Sequence, residues 1–249
     1  MPRYKAVVEY NGTCFAGWQS QPSGNTIQQF IEKSFLDIKM KNIKIFGAGR
    51  TDSGVHALVQ VFHFDYNEKL DCKKVLLGIN HFLKKKNISI LSIVLVNEDF
   101  DSRRDAKLRT YKYKILNRIA SPAILENQIW HISKILDFEQ MYKASKLFLG
   151  PHDFTTFRSS ICQSNSPIKT LDKIKIKHKI KNDKKIVVLQ FKARSFLHNQ
   201  VRSIVGSLVN VGLRKWEPYY IKTILDKKDR RKCGPIAPPE GLYLKKIKY

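Results

Sequence analysis

Cysteine is scarce in this sequence, and no two cysteines lie close together. The 249 residues include four, at positions 14, 72, 162 and 233, with no Cys-x-x-Cys pair. A disulfide framework and a cysteine-ligated zinc site both need clustered cysteines, so neither is predicted. We expect reduced thiols, as in a cytoplasmic protein.

Long hydrophobic runs are also missing. No apolar stretch reaches the roughly 18–20 residues that cross a bilayer. Residues 1–10, MPRYKAVVEY, have neither the apolar region nor the cleavage site of a secretory signal. We therefore expect no membrane segment and no signal peptide. Hydrophobic residues still make up 43% of the chain, enough for a folded core and more than a disordered basic tail would have.

Acidic residues are few relative to basic ones. The chain has 21 Asp and Glu and 46 Lys and Arg, which gives a formal net charge of +25. Such a charge favours a polyanionic partner, either a nucleic acid or an anionic membrane surface. Of the basic residues, however, 34 are Lys, and Lys, Ile and Asn are abundant together, as AT-rich codon usage alone would produce. The positions of the 12 Arg residues are therefore more informative than the total charge.

The first half of the chain shows the periodicities of an α+β fold. Helical spacing of apolar residues predicts one helix that begins after a cap at Thr26 and a second over 71–83. Strands are predicted at 3–10, 43–46, 57–64 and 88–96. The order β-α-β-β-α-β is that of a ferredoxin-like, or RRM-like, domain with helices against one face of an antiparallel sheet.

The second half is a looser version of the same pattern. It predicts strands near 107–116, 170–180, 185–193 and 242–248 and helices near 137–149, 196–213 and 218–227. We therefore predict two α+β halves, residues 1–105 and 106–249, that share a mostly antiparallel central sheet with helices packed on it.

The most unusual segment is GAGRTDSGVH, residues 47–56. Its glycines allow positive φ angles and close approach of a ligand, and Arg50 and Asp52 would project from one side of an extended chain. A nearby cation favours the ionised form of an aspartate, which suits a nucleophile or a base. Taken alone, the segment fits a hairpin loop with a salt bridge better. A phosphate-binding loop, or a metal site that combines Asp52 with His56 and His63, is a weaker interpretation.

A strand over 107–116 interleaves cations and aromatic rings. Arg109, Tyr111 and Tyr113 would share one face, as on strands that bind nucleic acid through phosphate contacts and base stacking. A half-buried strand with its tyrosines in the core would show the same pattern. Arg158 lies in a Ser/Thr-rich loop that could contact RNA or could simply connect two elements.

A cation also lies within the most apolar helix of the chain. Arg202 has Val201, Ile204 and Val205 as near neighbours in the sequence. Because an unpaired buried charge is costly, Arg202 would need a carboxylate partner, and Asp52 could serve. The alternative is that the side chain reaches the surface along its own aliphatic stem.

Together these segments resemble the tRNA pseudouridine synthase A family over nearly the whole chain. The matching motifs are Tyr10 to Gly12, Phe15 to Gln19, Gly49 to His56, Arg109 to Tyr113, Asp153 to Arg158, His198 to Arg202 and Glu240 to Leu244. Their common order and spacing make the resemblance specific. One departure is Arg104, where the family usually has an aromatic residue, and it leaves the expected fold and chemistry unchanged.

The resemblance implies that the protein isomerises uridine to pseudouridine in the anticodon stem-loop of tRNA, at family positions 38, 39 and 40. The C1′–N1 bond breaks, the uracil turns, and a C1′–C5 bond forms, with no cofactor and no metal. It also implies a cytoplasmic homodimer whose subunits jointly clamp the tRNA. The alternative is a non-catalytic RNA-binding protein on the same fold. A metal-dependent nuclease that uses Asp52 and His56 lacks further carboxylates.

The same resemblance implies roles for individual residues. Asp52 is the catalytic aspartate, Arg202 is its ion-pair partner, and Tyr111 stacks on the uracil and assists proton removal at C5. Arg50 fills the space left by the extruded base or holds its backbone, and Leu242 closes over the uracil. The substrate-binding residues are then Tyr111, Arg50, Leu242, Arg103, Arg104 and Arg158.

Overall fold

A computed structural model of the chain describes residues 1–22, 24–41, 43–181 and 184–249. The chain divides into two compact units, one formed by residues 1–107 with 243–249 and the other by 108–242. Each unit combines paired strands with helices, which confirms the predicted α+β class. Within the described ranges, no helix has both the length and the hydropathy of a membrane span.

Ten strands and five α-helices make up the regular structure of the described residues. In chain order they are β1 (Arg3–Tyr10), α1 (Ile27–Asp37), β2 (Phe46–Gly47), β3 (His56–Asp65), α2 (Cys72–Leu83), β4 (Ile88–Val96), β5 (Leu108–Asn117), β6 (Trp130–Ile132), α3 (Phe138–Lys146), β7 (Gly150–Asp153), β8 (Ile168–Lys181), β9 (Lys184–Ala193), α4 (Gln200–Gly212), α5 (Tyr220–Lys227) and β10 (Leu242–Lys248).

In the first unit, antiparallel pairing joins β4 to β1, β1 to β3 and β3 to β2. β10 pairs in parallel with β3, with Tyr243 opposite His56. Alternate residues of β1, among them Tyr4 and Val8, are buried, because successive side chains of a strand point to opposite faces. The Tyr4 and Phe64 rings stack with centroids 5.4 Å apart, so aromatic contacts join the aliphatic side chains in the core of this unit.

In the second unit, β9 pairs antiparallel with both β5 and β8, and β8 pairs antiparallel with β7. The short strand β6 adds in parallel to β5. One face of this sheet is buried and includes Tyr113 on β5, Leu189 and Phe191 on β9 and Ile174 on β8. The strand period therefore sends Tyr113 into the core and leaves the alternate residues on the other face.

Most predicted elements form within a few residues of their expected bounds, but two predictions need correction. The strand predicted at 43–46 is wrong, since only Phe46–Gly47 is a strand. Ile43 and Ile45 are buried without strand pairing, and Ile45 N–H donates to the Glu32 carboxylate (3.1 Å). The alternating apolar residues in this segment therefore reflect burial and not membership of the sheet.

The helix predicted over 196–213 begins instead at Gln200. Asn199 has a φ of 63°, in the left-handed region, which interrupts the helix at its N-terminal end. The Gln200 side chain accepts a hydrogen bond from Leu197 N–H (2.8 Å) and so fixes the residues before the helix. The short strands β6 and β7 were not predicted, because three or four residues give little periodicity.

The predicted cap of α1 is confirmed and supports a stability test. The hydroxyl of buried Thr26 accepts from Gln29 N–H (3.4 Å), and the Gln29 side chain accepts from Thr26 N–H (3.3 Å). Loss of an N-cap hydroxyl costs about 1 kcal/mol. We expect Thr26→Ala to lower the free energy of unfolding by about that amount in urea denaturation, whereas Thr26→Ser, which keeps the hydroxyl, should lie much closer to wild type. Equal losses in both variants would contradict the role of the cap.

Candidate active site

Asp52 lies in the turn between β2 and β3, and residues 48–55 are called the aspartate turn from here on. Val55 N–H donates to Asp52 O (3.2 Å), which closes the turn directly after the carboxylate. The Gln60 side-chain amide donates to Gly49 O (2.7 Å) and ties the start of the turn to β3. One main-chain bond and one bond from a side chain therefore hold this sharp reversal, and the Asp52 residue is left half-exposed.

A second loop, residues 12–18, supports the aspartate turn from outside. Trp18 N–H donates to Thr51 O (3.0 Å), and Gly54 N–H donates to Phe15 O (3.3 Å). These two bonds hold the main chain on both sides of Asp52. Because buried or half-buried main-chain groups need partners, the two loops satisfy each other and fix the position of the residue between them.

Buried side chains complete this support. The hydroxyl groups of Thr51 and Tyr10 lie 2.7 Å apart in a buried hydrogen bond. The Tyr10 ring packs near the fully buried Trp18, with ring centroids 6.0 Å apart. Gly17 has a φ of 105°, and a Cβ there would lie 2.6 Å from Thr51 O. Only glycine therefore permits this close approach of the two loops.

Arg50 belongs to the same turn as Asp52 but is exposed to solvent. Its Nε donates to the Gln19 side-chain oxygen (3.3 Å), which orients the guanidinium along the supporting loop. A cation and a half-exposed carboxylate thus share one well-anchored turn.

The two histidines considered as metal ligands are both buried. His56 Nδ1 accepts from Gly12 N–H (3.0 Å), and its ring stacks on Tyr243 at 4.6 Å. His63 Nδ1 accepts from Ser102 N–H (3.1 Å), and burial lowers the pKa of its ring. Among the residues that the structure describes, no three His, Cys, Asp or Glu side chains form a group that could hold a metal ion.

In the second unit, Tyr111 and Tyr113 share a face of β5 but differ in their surroundings. Tyr113 is fully buried, its hydroxyl donates to Pro238 O (2.6 Å), and burial raises its pKa well above the ordinary value. Tyr111 is half-buried, and its ring meets Phe196 edge-on, with centroids 5.1 Å apart and planes at 88°. Tyr113 thus belongs to the core, whereas Tyr111 presents an oriented, partly exposed ring.

Arg202 lies in the first turn of α4 and is half-buried. Its Nε donates to Ala237 O (2.7 Å), and its Nη1 donates to the Asn199 side-chain oxygen (3.1 Å). The guanidinium is therefore held in place by two acceptors from its own unit and does not simply extend into solvent.

The remaining predicted residues lie on separate segments of the two units. In the first unit, Arg103 and Arg104 are exposed, and their main-chain N–H groups both donate to the Asp101 carboxylate (2.8 Å each). In the second unit, Arg158 is half-buried in the loop between β7 and β8, and Leu242 is 5% exposed at the start of β10.

Sequence reasoning missed the residues that orient the predicted ones, namely Phe196, Asn199 and Gln19. Asn199 lies inside the His198-to-Arg202 motif and Phe196 lies two residues before it, so the motif indicated a constrained segment but not the roles of these two side chains. No pattern in the sequence shows that Gln19 meets Arg50, because the two are brought together only when the supporting loop folds against the aspartate turn.

The chain matches the family model described as tRNA pseudouridine synthase over residues 6–103 and 144–249. Among curated proteins it is similar to "tRNA pseudouridine synthase A" of Maricaulis maris, at 43% identity over 249 residues that cover 100% of this chain and 98% of the relative. The protein of the same name from Sinorhizobium fredii is 42% identical, with 100% of both chains covered. That of Brucella anthropi is 44% identical, covering 100% of this chain and 98% of the relative.

The close approach at Gly17 leads to a test of the support beneath Asp52. A side chain at Gly17 would meet Thr51 O, whereas Gly24, also at positive φ (73°), has open space where a Cβ would lie. A non-glycine residue at positive φ costs about 1–2 kcal/mol. We therefore expect Gly24→Ala to lower the free energy of unfolding by about that amount and Gly17→Ala to lower it clearly more, as measured by urea denaturation. Equal effects would show that the contact with Thr51 O is unimportant.

Proposed function

The chain belongs to the tRNA pseudouridine synthase A family, whose enzymes are isomerases that act on uridine in tRNA, and from this premise we propose that its targets are uridines of the anticodon stem-loop. The observation that carries the proposal is the anchored aspartate turn, in which the motif Gly49 to His56 holds a half-exposed Asp52 between two main-chain bonds. A binding protein without catalysis has no need of a carboxylate fixed in this way.

The proposed reaction exchanges one bond for another within a single nucleotide. The C1′–N1 glycosidic bond of uridine breaks, the uracil turns while it stays bound, and a C1′–C5 bond forms. The proton on C5 is then lost and N1 gains one, so atoms and electrons balance. Because nothing is oxidised, reduced or hydrolysed, we propose that the reaction proceeds without a cofactor or metal.

Asp52 is proposed as the essential carboxylate, acting either as a nucleophile at C1′ or as a base toward the sugar. Tyr111 is proposed to stack on the uracil and to assist proton removal at C5. The edge-on contact with Phe196 supports this role, because it fixes the plane of the Tyr111 ring while leaving part of the ring exposed.

Arg202 is proposed as the ion-pair partner of the catalytic aspartate. Its bonds to Ala237 O and to the Asn199 side chain support the proposal, because a guanidinium held by two acceptors points in one direction and is not spread over many rotamers. An exposed arginine that bound phosphates would gain little from such fixed positioning.

The target uridine must leave its base stack to reach these groups, at a cost of a few kcal/mol. We propose that Arg50 fills the space left by the base or holds its backbone and that Leu242 closes over the uracil. Arg103, Arg104 and Arg158 are proposed as contacts to the RNA backbone, whose phosphates would offset part of the cost of base flipping.

We further propose a cytoplasmic homodimer, because tRNA is a cytoplasmic substrate and is larger than the contact surface of one subunit. The ferredoxin-like arrangement of each half belongs to the same proposal, with residues 1–105 carrying the aspartate turn and residues 106–249 carrying Tyr111 and Arg202. The pairing order β4-β1-β3-β2 in the first unit supports it. That the halves share one sheet stays a prediction.

Replacement of the carboxylate tests the catalytic proposal against a non-catalytic RNA-binding protein on the same fold. We expect Asp52→Ala to lower pseudouridine formation by about 10⁴-fold or more, because an essential group is lost. Affinity for unmodified tRNA should stay within a few-fold of wild type. Product would be measured by carbodiimide labelling and mass spectrometry, and affinity by filter binding. The matched control is Asp37→Ala, the same change at an exposed position.

Two outcomes separate the functions. Unchanged product formation in Asp52→Ala would remove Asp52 from the mechanism. If the wild-type protein binds tRNA tightly but forms no pseudouridine in any tRNA, the non-catalytic alternative is correct.

Arg202 is tested by separating turnover from binding. We expect Arg202→Ala to lower the rate at saturating tRNA while leaving tRNA affinity nearly unchanged, because the guanidinium acts on the aspartate and not on phosphate. Arg231→Ala is the control, since Arg231 is 89% exposed in its side chain and pairs with Asp229. Loss of affinity with an unchanged saturated rate would instead make Arg202 a phosphate contact.

A further inference from the structure

Six lysines lie together on one face of the sheet of the second unit, and they are called the lysine face from here on. They are Lys112 and Lys114 on β5, Lys192 on β9, and Lys173, Lys175 and Lys177 on β8. None of these residues has a role in the proposed chemistry, and all come from the lysine excess that AT-rich codon usage could explain.

The strand register arranges these lysines in three rows. Lys192 lies opposite both Thr110 and Lys173. In the next row Gln190 lies between Lys112 and Lys175, and in the third Val188 lies between Lys114 and Lys177. Directly opposed side chains of antiparallel strands point to the same face, so six of these nine positions are lysines and none is acidic.

Directly opposed lysines in this array are unfavourable for the folded protein by themselves. Like charges directly opposite each other on a sheet, as Lys173 and Lys192 are, destabilise it. Lys114 is half-buried, and burial, with the neighbouring charge of Lys112, lowers its pKa to about 8. A bound polyanion would neutralise part of this positive charge and so reduce the repulsion between neighbouring lysines.

Protection of a sheet edge explains only part of the pattern. Lysines on an edge strand prevent edge-to-edge association, and β8 beyond Leu171 has no described pairing with β7. Lys173, Lys175 and Lys177 fit that explanation. Lys192 does not, because β9 is paired on both sides, and Lys112 and Lys114 on β5 are two strands away from that edge.

The lysine face is also distinct from the face that carries Tyr111. Tyr111 and Lys112 are consecutive in β5, so their side chains leave the strand on opposite faces. A nucleotide stacked on Tyr111 cannot at the same time contact the lysine face, and a ligand there would be a different part of an extended molecule.

We propose that the lysine face binds the phosphate backbone of tRNA away from the target nucleotide. This proposal rests on the proposed function, because that function is what identifies the RNA as tRNA. RNA is favoured over an anionic membrane because Val188 is the single aliphatic side chain among the nine positions of the face, and one valine offers too little apolar surface to insert between lipids.

The test replaces the three exposed lysines of β8 together, as Lys173→Gln, Lys175→Gln and Lys177→Gln. The matched control is Lys33→Gln, Lys84→Gln and Lys85→Gln, which removes the same charge from exposed positions in the first unit. A third variant carries Arg at the three β8 positions. Filter binding of an unmodified tRNA transcript is measured over a range of salt concentrations, together with the saturated rate of pseudouridine formation.

We expect the β8 glutamine variant to bind tRNA about 10-fold more weakly at about 0.15 M salt, with a salt slope lower by about 2 to 3. The control should stay within about 3-fold of wild type with an unchanged slope. The arginine variant should bind as wild type does, since it keeps the charge. The saturated rate should be unchanged in all three, because none of these lysines faces the uracil.

Several outcomes would overturn the proposal. Equal losses in the β8 and control variants would show a general charge effect, and a loss in the arginine variant would show that charge is not the cause. Self-association of the β8 glutamine variant in sedimentation, with unchanged affinity of its monomer, would leave edge protection as the role. Loss of binding to phosphatidylserine vesicles with unchanged tRNA affinity would indicate a membrane. Failure of the proposed function would appear separately, as absence of pseudouridine formation by the wild-type protein.

Discussion

The position of Asp52 depends on the mutual hydrogen bonding of two loops. Trp18 N–H holds Thr51 O on one side of the aspartate, and Gly54 N–H holds Phe15 O on the other. Neither loop has regular structure to satisfy its main chain, so each supplies the partners that the other needs. Gly17 permits this close approach because it has no Cβ. The buried hydrogen bond between the hydroxyls of Thr51 and Tyr10 anchors the aspartate turn to β1.

The same principle governs the second unit, where fixed neighbours orient groups that would otherwise move. Phe196 sets the plane of the Tyr111 ring, and Ala237 O with Asn199 sets the direction of the Arg202 guanidinium. A side chain that is already ordered before the substrate arrives loses little entropy in the reaction. The orienting residues are therefore as much a part of the candidate site as the residues that they hold.

The positive charge of the chain has two different uses in this picture. Arg202 is half-buried and fixed, as the role proposed for it requires, whereas most lysines are exposed and contribute to the electrostatic field around the chain. The lysine face lies between these extremes, because its central members are half-buried on paired strands. Total charge alone does not separate these cases, since it counts every cation equally.

Local signals in the sequence predicted the elements well where the causes were local. Thr26 and Gln29 are three residues apart and cap α1 through bonds that need no other part of the chain. The prediction of a strand at 43–46 failed because Ile43 and Ile45 are buried beneath other elements without joining the sheet, and apolar spacing cannot tell burial from pairing. The start of α4 was missed because a single left-handed residue, Asn199, overrides the helical pattern around it.

The sequence by itself determined the class of fold, the family and the place of Asp52, Tyr111 and Arg202 in its motifs, because these depend on residue type and spacing along the chain. Only the tertiary structure decided that Gln19 meets Arg50, that Asn199 and Ala237 hold Arg202, and that Lys112, Lys192 and Lys173 lie on neighbouring strands. These contacts join residues that loop closure and strand register bring together, and neither is encoded in any short stretch of sequence.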